Sequence, residues 1–174
     1  MRQGTFISMK VDSPIGPLDL TGDGEGLCGV HMMGHAPAPS FPGIIKYGED
    51  AVLVAAARQL AEYFAGARRR FDLPLRLAGT EFQRRVWAGL LTIEFGERSS
   101  YGALAREIGA VNASRAVGSA NRCNPISIIV PCHRVVGSDG TLTGYAGGLP
   151  TKKWLLEHEA RVAVSSDGGF ALRS

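Results

Sequence analysis

Apolar stretches in the first third of the chain predict a small β-sheet. Residues 5–11, 18–21 and 27–33 are rich in β-branched and other apolar side chains, and Gly- and Pro-containing turns separate them. This arrangement is typical of antiparallel strands. The next stretch, residues 34–48, is rich in Pro and Gly and is expected to form a loop.

The spacing then becomes helical. After Asp50, apolar residues recur on one helical face as far as Gly66, which predicts a helix. Residues 71–77 alternate apolar and polar side chains, which predicts a strand, and Pro74 favours an edge position for it. We expect residues 1–78 to form an α/β domain, a small antiparallel sheet with a helix, and residues 79–174 to form a second domain.

The pattern of the second half predicts a mostly helical domain. Thr80 and Gln83 match a capping box at the start of its first helix. A short helix ending at Gly109 is followed by a tight turn and by a second helix over residues 113–122, which Asn112 can cap. Two short helices joined by a glycine-containing turn predict a helix-turn-helix, although many such helical pairs bind nothing.

Composition narrows the class of protein. The 174 residues are 45% hydrophobic and 20% charged, which favours a packed globular chain over disorder. No apolar run approaches the roughly 20 residues of a membrane span, so no membrane association is expected. Three cysteines without a Cys-x-x-Cys pair argue against a disulfide framework and for a reducing, cytoplasmic location.

Charge is unevenly distributed along the chain. Residues 98–134 contain five arginines and a single acidic residue, Glu107, within an overall net charge of +3. A positive sector of this kind suits a phosphate backbone as partner, and an ordinary solvated face is the alternative.

The most specific feature is the segment 128–136, with the sequence Ile-Ile-Val-Pro-Cys-His-Arg-Val-Val. Its apolar beginning predicts a short buried strand that ends at Pro131, and Cys132 and His133 follow. A thiol there would sit on a fixed backbone, as a nucleophile requires. The segment resembles the active-site signature of the O6-alkylguanine-DNA alkyltransferases, also called methylated-DNA–protein-cysteine methyltransferases. The resemblance covers about residues 80–160.

The resemblance implies a fold and an activity. The N-terminal domain would be ribonuclease-H-like, and the mostly α C-terminal domain would be winged-helix-like, with a helix-turn-helix and a wing-like hairpin. The protein would bind double-stranded DNA through the minor groove, flip out O6-alkylguanine or O4-alkylthymine, and transfer the alkyl group irreversibly to Cys132 without a cofactor. It would be monomeric in solution, with possible cooperativity on DNA.

The same resemblance assigns the catalytic residues. Cys132 would be the nucleophile, and His133 would take its proton through a water molecule. Glu159 would orient His133, following the logic of a Ser-His-Asp triad with sulfur in place of oxygen. Asn124 would tie the second helix of the helix-turn-helix to the active-site turn.

It also assigns the contacts to DNA and to the base. Tyr101 would help to rotate the target nucleotide, and Arg115 would fill the space that it leaves. The small residues of the second helix would let it approach a narrow groove, and the expected contacts there and nearby are Ala113, Ser114, Gly118, Asn121, Arg122 and Ser138. In the pocket, Val135 would offer backbone groups and Tyr145 a wall, while Ala146 replaces a serine of other members and could alter tolerance for bulky alkyl groups.

Three alternative functions are an alkylation-damage binder, a cysteine hydrolase and a transcriptional regulator fused to such a domain, and the chain has no room for the extra DNA-reading module of the last. A non-catalytic alkylation-damage binder of the alkyltransferase-like type would lack the reactive cysteine, so Cys132 speaks against it. A cysteine hydrolase would more often have a histidine remote in sequence.

Zinc binding would require Cys28 and His31, with His35 nearby, and no metal is expected because a second cysteine is missing.

Overall fold

The computed structural model describes residues 4–33 and 41–167. Its first half contains a four-stranded sheet made of β1 (Gly4–Val11), β2 (Leu18–Gly22), β3 (Leu27–Met32) and β4 (Gly43–Tyr47), in the order β3-β2-β1-β4. The first three strands are antiparallel neighbours, as the sequence predicts. No helix in the described part of the chain is long and apolar enough to cross a membrane.

Strand β4 corrects the expectation of a loop across residues 34–48 and of a purely antiparallel sheet. It pairs parallel to β1, from Gly4 opposite Gly43 to Ser8 opposite Tyr47. All five of its residues are exposed, so no alternation between buried and exposed positions reveals the strand in the sequence. The sheet is therefore mixed.

Helix α1 (Ala51–Phe64) packs against this sheet. Asp50 caps it as predicted, because its carboxylate accepts a hydrogen bond from the backbone N–H of Leu53 at 2.8 Å. The buried face of the helix includes Leu53, Leu60 and Tyr63. This face places Tyr63, in the last turn, toward the second half of the chain.

The predicted strand over residues 71–77 is wrong apart from one isolated bridge. Leu75 bridges to Leu27 of β3, where the Leu27 N–H donates to the Pro74 carbonyl and the Arg76 N–H donates to the Leu27 carbonyl, both at 2.8 Å. The apolar side chains do alternate into the core, but Pro74 has no N–H to continue a ladder. The segment is a linker that covers part of the β3 edge.

The second half is mostly helical. It contains α2 (Glu81–Leu90), β5 (Ser99–Ser100), α3 (Tyr101–Glu107), α4 (Ser114–Arg122), β6 (Val135–Val136) and α5 (Gly148–Asp167). The capping box of Thr80 and Gln83 is present at the start of α2. Strands β5 and β6 pair parallel, so this sheet is not the expected wing-like hairpin.

Helices α3 and α4 form the predicted helix-turn-helix, with one local difference. Gly109 adopts the expected left-handed conformation after α3, at a φ of 70°. Asn112 is also left-handed, at a φ of 67°, and Ala113 stands at the N-cap of α4 without a side-chain hydrogen bond. Asn112 therefore shapes the turn and does not cap the helix.

Residues 128–130 form tight turns, which corrects the prediction of a short buried strand. Ile128 has a φ of 73°, and the Val130 N–H donates back to the Ile126 carbonyl at 3.0 Å. The three side chains are buried, as the apolar run predicts, but burial alone cannot distinguish a strand from a compact turn. Just before this turn, Val30 of β3 bridges to Ile126, so the first sheet supports the segment that leads to Cys132.

Gly147, directly before α5, is packed closely against the first sheet. A Cβ atom at this position would lie 2.0 Å from the Met32 sulfur and 3.0 Å from the Tyr145 ring. Since Met32 belongs to β3, a side chain at position 147 would force the buried Met32 side chain or the loop before α5 to move.

We therefore expect Gly147→Ala to lower the free energy of unfolding by about 1–3 kcal/mol through overpacking. Urea unfolding followed by circular dichroism measures this. The control is Gly102→Ala in α3, where the nearest atom would be 3.8 Å from the new Cβ and alanine favours the helix. Equal stability of the two variants would contradict this account of the contact.

Candidate active site and nucleic-acid interface

Cys132 begins a short 3₁₀ helix, Cys132–Arg134, and its side chain is 3% exposed. The backbone holds it at both ends. Its N–H donates to the Val130 carbonyl at 2.8 Å, and its carbonyl accepts a hydrogen bond from Asn121 Nδ2 at 3.3 Å. The sulfur therefore stands on a fixed backbone between α4 and α5.

Asn124, just after α4, binds the turn that leads to the cysteine. Its Nδ2 donates to the Val130 carbonyl at 2.8 Å, and its Oδ1 accepts from the Ile126 N–H at 3.0 Å. The side chain is buried, so these two bonds replace water for four polar atoms. The Asn124 amide thus joins the end of α4 to the cysteine turn, in addition to the bond from Asn121 to the Cys132 carbonyl.

His133 and Glu159 form a hydrogen-bonded pair in the interior. His133 Nε2 lies 2.8 Å from Glu159 Oε1, and the two side chains are 0% and 1% exposed. Within the described part of the chain, Nδ1 of His133 has no hydrogen-bond partner. Because Nε2 donates to the carboxylate, Nδ1 carries the lone pair and can accept a proton.

Glu159 remains ionised because donors surround it. Arg134 donates from Nε to Oε2 at 2.9 Å and from Nη2 to Oε1 at 3.0 Å, and the Gly96 N–H donates to Oε2 at 3.0 Å. Burial alone would raise the pKa of Glu159, but the hydrogen bonds from His133 and Arg134 and the Arg134 charge hold that pKa well below its usual range. Burial lowers the pKa of His133, so the ring is neutral beside an ionised carboxylate.

Opposing effects act on the pKa of the Cys132 thiol. Burial raises the pKa of Cys132, while the Asn124 amide and the Lys152 charge act in the opposite direction. The net direction is upward. The resting thiol is therefore protonated, and forming the nucleophilic thiolate requires a group that removes its proton.

Lys152 is a residue of the site that the sequence analysis missed. It is fully buried, its Nζ donates to the carbonyls of Val135 at 2.6 Å and Thr143 at 2.7 Å, and burial lowers its pKa to about 8. The sequence does contain a signal, because Lys152 shares a helical face with Leu155 and Glu159 at spacings of three and seven. That face of α5 is the buried one.

The predicted pocket residues lie around this centre. Val135 is buried, and Lys152 binds its carbonyl. Tyr145 is 9% exposed, and burial and the proximity of Cys132 raise its pKa well above the ordinary value. Within the described residues the Tyr145 hydroxyl has no partner, and Ala146 beside it is half-buried.

Most of the predicted DNA contacts share one concave surface. A cavity of about 700 Å³ lies between α4 and the loop before α5, and its lining includes Tyr101, Ser114, Arg115, Gly118 and Arg122. The Tyr101 hydroxyl donates to the Thr143 carbonyl at 3.3 Å and so fixes the loop before α5 at one side of this cavity. The surface thus combines small side chains with two arginines.

Three predicted contacts lie elsewhere. Asn121 is 2% exposed and binds the Cys132 carbonyl, so it belongs under the cysteine and not on the exposed face of α4. Ala113 is half-buried at the N-cap of α4, and Ser138 is exposed in the turn after β6, outside the cavity lining. In a helix as short as α4, sequence position alone does not predict which side chains are buried and which face solvent.

The described residues contain no group of three or more metal-ligating side chains that could hold a metal ion. Cys28 and His31 lie on β3, and His35 lies outside the described residues. All three cysteines are free thiols.

Comparison with known proteins gives consistent matches over nearly the whole chain. A family model described as the DNA binding domain of 6-O-methylguanine DNA methyltransferase matches residues 81–161, and one described as its ribonuclease-like domain matches residues 6–77. The methylated-DNA–protein-cysteine methyltransferase of Mycobacterium leprae is 50% identical over 90% of this chain and 94% of its own. The protein of the same name from Methanosarcina acetivorans is 50% identical over 85% and 94%.

A comparison with solved structures points to the same family. The crystal structure of Mycobacterium tuberculosis OGT in complex with DNA matches with a TM-score of 0.82 and 48% identity, over 90% of this chain and 94% of the other. The fold and site define a two-domain protein with a buried cysteine beside a helix-turn-helix. The chain belongs to the 6-O-methylguanine DNA methyltransferase family.

The buried carboxylate of Glu159 predicts acid sensitivity. Its pKa is lower in the folded than in the unfolded protein, so the unfolded chain takes up the proton first as the pH falls. The stability that the carboxylate contributes is present above about pH 4.5 and is lost below it, by up to about 1.4 kcal/mol per pH unit.

Glu159→Gln should remove this part of the acid slope and cost about 3–5 kcal/mol at neutral pH, because Arg134 is left unpaired. Urea unfolding at a series of pH values measures both effects. Glu157→Gln, on the exposed face of the same helix, is the control and should resemble the wild type. An identical acid slope in both variants would contradict the assignment.

Burial also predicts the order in which the thiols react. Without DNA, iodoacetamide should label Cys123 first, because it is exposed. Cys28 should react slowly, since burial and the nearby Asp23 raise its pKa to about 12, and Cys132 should react slowly because it is buried and protonated. Peptide mass spectrometry gives the order, and Cys123→Ser should remove the fast phase. Faster labelling of Cys132 than of Cys123 would refute this ranking.

Proposed function

We propose that this protein repairs alkylated DNA by direct reversal, moving the alkyl group of O6-alkylguanine to Cys132 in a single turnover. The observation that carries the proposal is the buried Cys132, followed by a His133–Glu159 pair and placed behind a helix-turn-helix surface. The relatives named methylated-DNA–protein-cysteine methyltransferase, half identical over most of the chain, support the same activity.

The chemistry follows from the charges of the site. His133 Nδ1 accepts the thiol proton, directly or through water, and Glu159 stabilises the imidazolium that results. The thiolate attacks the alkyl carbon, so that a sulfur–carbon bond forms as the carbon–O6 bond breaks. The electron pair stays on the base, which takes up a proton and becomes guanine. Arg134 keeps Glu159 ionised throughout.

The protein would act once per molecule. The product is a thioether, and the reaction needs no cofactor because the alkyl group passes directly from oxygen to sulfur. Lys152, whose charge lowers the pKa of Cys132, would favour the thiolate during the reaction and would also hold the Val135 carbonyl toward the base.

Access to the sulfur requires that the target nucleotide leave the helix, since a buried thiol cannot reach a stacked base. We infer that the cavity beside α4 binds DNA through the minor groove, with the small residues Ser114 and Gly118 allowing close approach. Tyr101 would turn the nucleotide, and Arg115 would occupy its place in the stack. O4-alkylthymine is a second substrate of the same pocket in this proposal.

The organisation of the chain belongs to the same proposal. A division into domains at residues 78 and 79 is supported by family matches over residues 6–77 and 81–161. We retain ribonuclease-H-like and winged-helix-like as descriptions of the two domains, together with a monomer in solution and a cytoplasmic location.

The decisive experiment mixes the protein with a duplex that contains one O6-methylguanine, followed by intact-protein and peptide mass spectrometry. We expect the protein to gain one methyl group on Cys132, with the yield limited to one equivalent. Cys132→Ala should gain none, and the control Cys28→Ala, in β3 and outside the cavity lining, should react like the wild type.

Other outcomes would change the proposal. Selective binding to the lesion duplex without methyl transfer would favour the non-catalytic damage binder. Neither transfer nor binding would refute repair altogether and would leave a cysteine hydrolase as the next hypothesis to test.

A further inference from the structure

A tyrosine from the first half of the chain reaches the catalytic carboxylate. Tyr63, in the last turn of α1, is fully buried, and its hydroxyl donates to Glu159 Oε1 at 2.8 Å. The same oxygen lies 2.8 Å from His133 Nε2. One carboxylate oxygen therefore accepts from Tyr63 and from the histidine at once, although Tyr63 precedes Glu159 by 96 positions.

Helix α5 holds Tyr63 at both ends. His158 Nε2 donates to the Tyr63 carbonyl at 2.8 Å, while the neighbouring Glu159 accepts from the hydroxyl. The Tyr63 ring is packed against Phe71 and His158, with ring centroids 5.6 and 5.3 Å apart. The hydroxyl therefore has little freedom to leave the carboxylate.

Packing alone does not explain a tyrosine at this position. Phenylalanine would fill the same space without bringing a hydroxyl out of water, and a buried hydroxyl is favourable when it has a partner. Burial and the Glu159 charge raise the pKa of Tyr63 well above its ordinary value, so the hydroxyl stays protonated and remains a donor at neutral pH.

We propose that Tyr63 is a positioning residue of the alkyl-transfer reaction, which fixes the Glu159 carboxylate and limits how strongly it holds the proton of His133. The first domain would in this way supply the last member of a chain that runs from Tyr63 through Glu159 and His133 to Cys132. The inference rests on the proposed function, because it gives Tyr63 a role in the same relay.

The direction of the effect follows from the groups that face His133. Glu159 raises its proton affinity, while burial and the charges of Arg134 and Lys152 lower it. A hydroxyl that donates to Oε1 withdraws negative charge from the atom that binds Nε2. Removing that hydroxyl leaves more negative charge on Oε1, the atom that faces Nε2, and makes His133 hold a proton more strongly. His133 would then serve as a base only at higher pH.

The test is the single-turnover rate of methyl transfer to Cys132 in Tyr63→Phe, measured across pH with an O6-methylguanine duplex. We expect the acid limb of the rate–pH profile to move up by about one pH unit in Tyr63→Phe, so that the rate falls by up to about tenfold on that limb and is unchanged on the plateau above it. Binding of the unreacted duplex should be unchanged.

Two controls separate positioning from packing. Phe71→Leu loosens the contact with the Tyr63 ring but leaves the hydroxyl in place, so any loss of rate should be equal at every pH. Tyr47→Phe removes a hydroxyl from the exposed strand β4 and should change nothing.

A substitution with the opposite expected effect guards against a folding defect in Tyr63→Phe. Replacing Tyr63 with meta-fluorotyrosine preserves the ring and makes the hydroxyl a stronger donor, so the acid limb should move to lower pH. If neither Tyr63 variant moves the acid limb relative to the wild type, the inference is overturned.

Direct titration of the His133 ring by nitrogen-15 NMR in the free protein keeps this test independent of repair activity. The apparent pKa of His133 should rise in Tyr63→Phe. A wild type without any methyl transfer would refute the proposed function, whereas an active wild type with an unchanged His133 titration in Tyr63→Phe would refute the role of Tyr63 alone.

Discussion

A carboxylate can remain charged inside a protein only if donors replace the water that it has lost, and much of this structure follows from that requirement at Glu159. Its two oxygens accept hydrogen bonds from Tyr63 on α1, from the Gly96 backbone after α2, and from His133 and Arg134 on the 3₁₀ helix. The donors come from three separate segments of the chain. Movement of any one of these segments would leave a buried polar group without a partner, so the carboxylate fixes their mutual arrangement.

The cysteine depends on a second set of bonds, made by the backbone. Strand β3 offers an edge to which the chain around Ile126 is bridged through Val30, and the Asn124 amide then fixes the following turn. The same turn carries the left-handed Ile128, a conformation that costs energy for a β-branched residue and persists because the surroundings determine it. The sheet of the first half therefore contributes to the position of Cys132 without contributing a side chain to it.

Local signals in the sequence are sufficient to predict where the main helices lie. The features that the sequence does not predict depend on residues far apart in the chain. Asp50 and the capping box before α2 were predictable because caps depend on residues three positions apart. The parallel pairing of β4 depends on a strand more than thirty positions earlier, so composition suggested a loop. Cys132 and His133 stood out as a motif, and the family resemblance supplied Glu159. Tyr63 gave no local signal, since its partner lies on another helix.

The burial of the site keeps the resting Cys132 thiol protonated. Burial protects Cys132 from solvent but raises the pKa of its thiol, and a buried Lys152 with a pKa of about 8 offsets that effect only in part. A thiolate held permanently would react with any small alkylating agent that reached it. In the proposed mechanism, the protonated thiol becomes nucleophilic when His133 accepts its proton, and Glu159, whose charge is already in place, stabilises the resulting imidazolium. The low proton affinity of the buried histidine keeps Nδ1 free to act at neutral pH. In the proposed mechanism, selectivity for a base held against the sulfur thus follows from keeping the resting thiol neutral and placing its proton acceptor, His133, beside it.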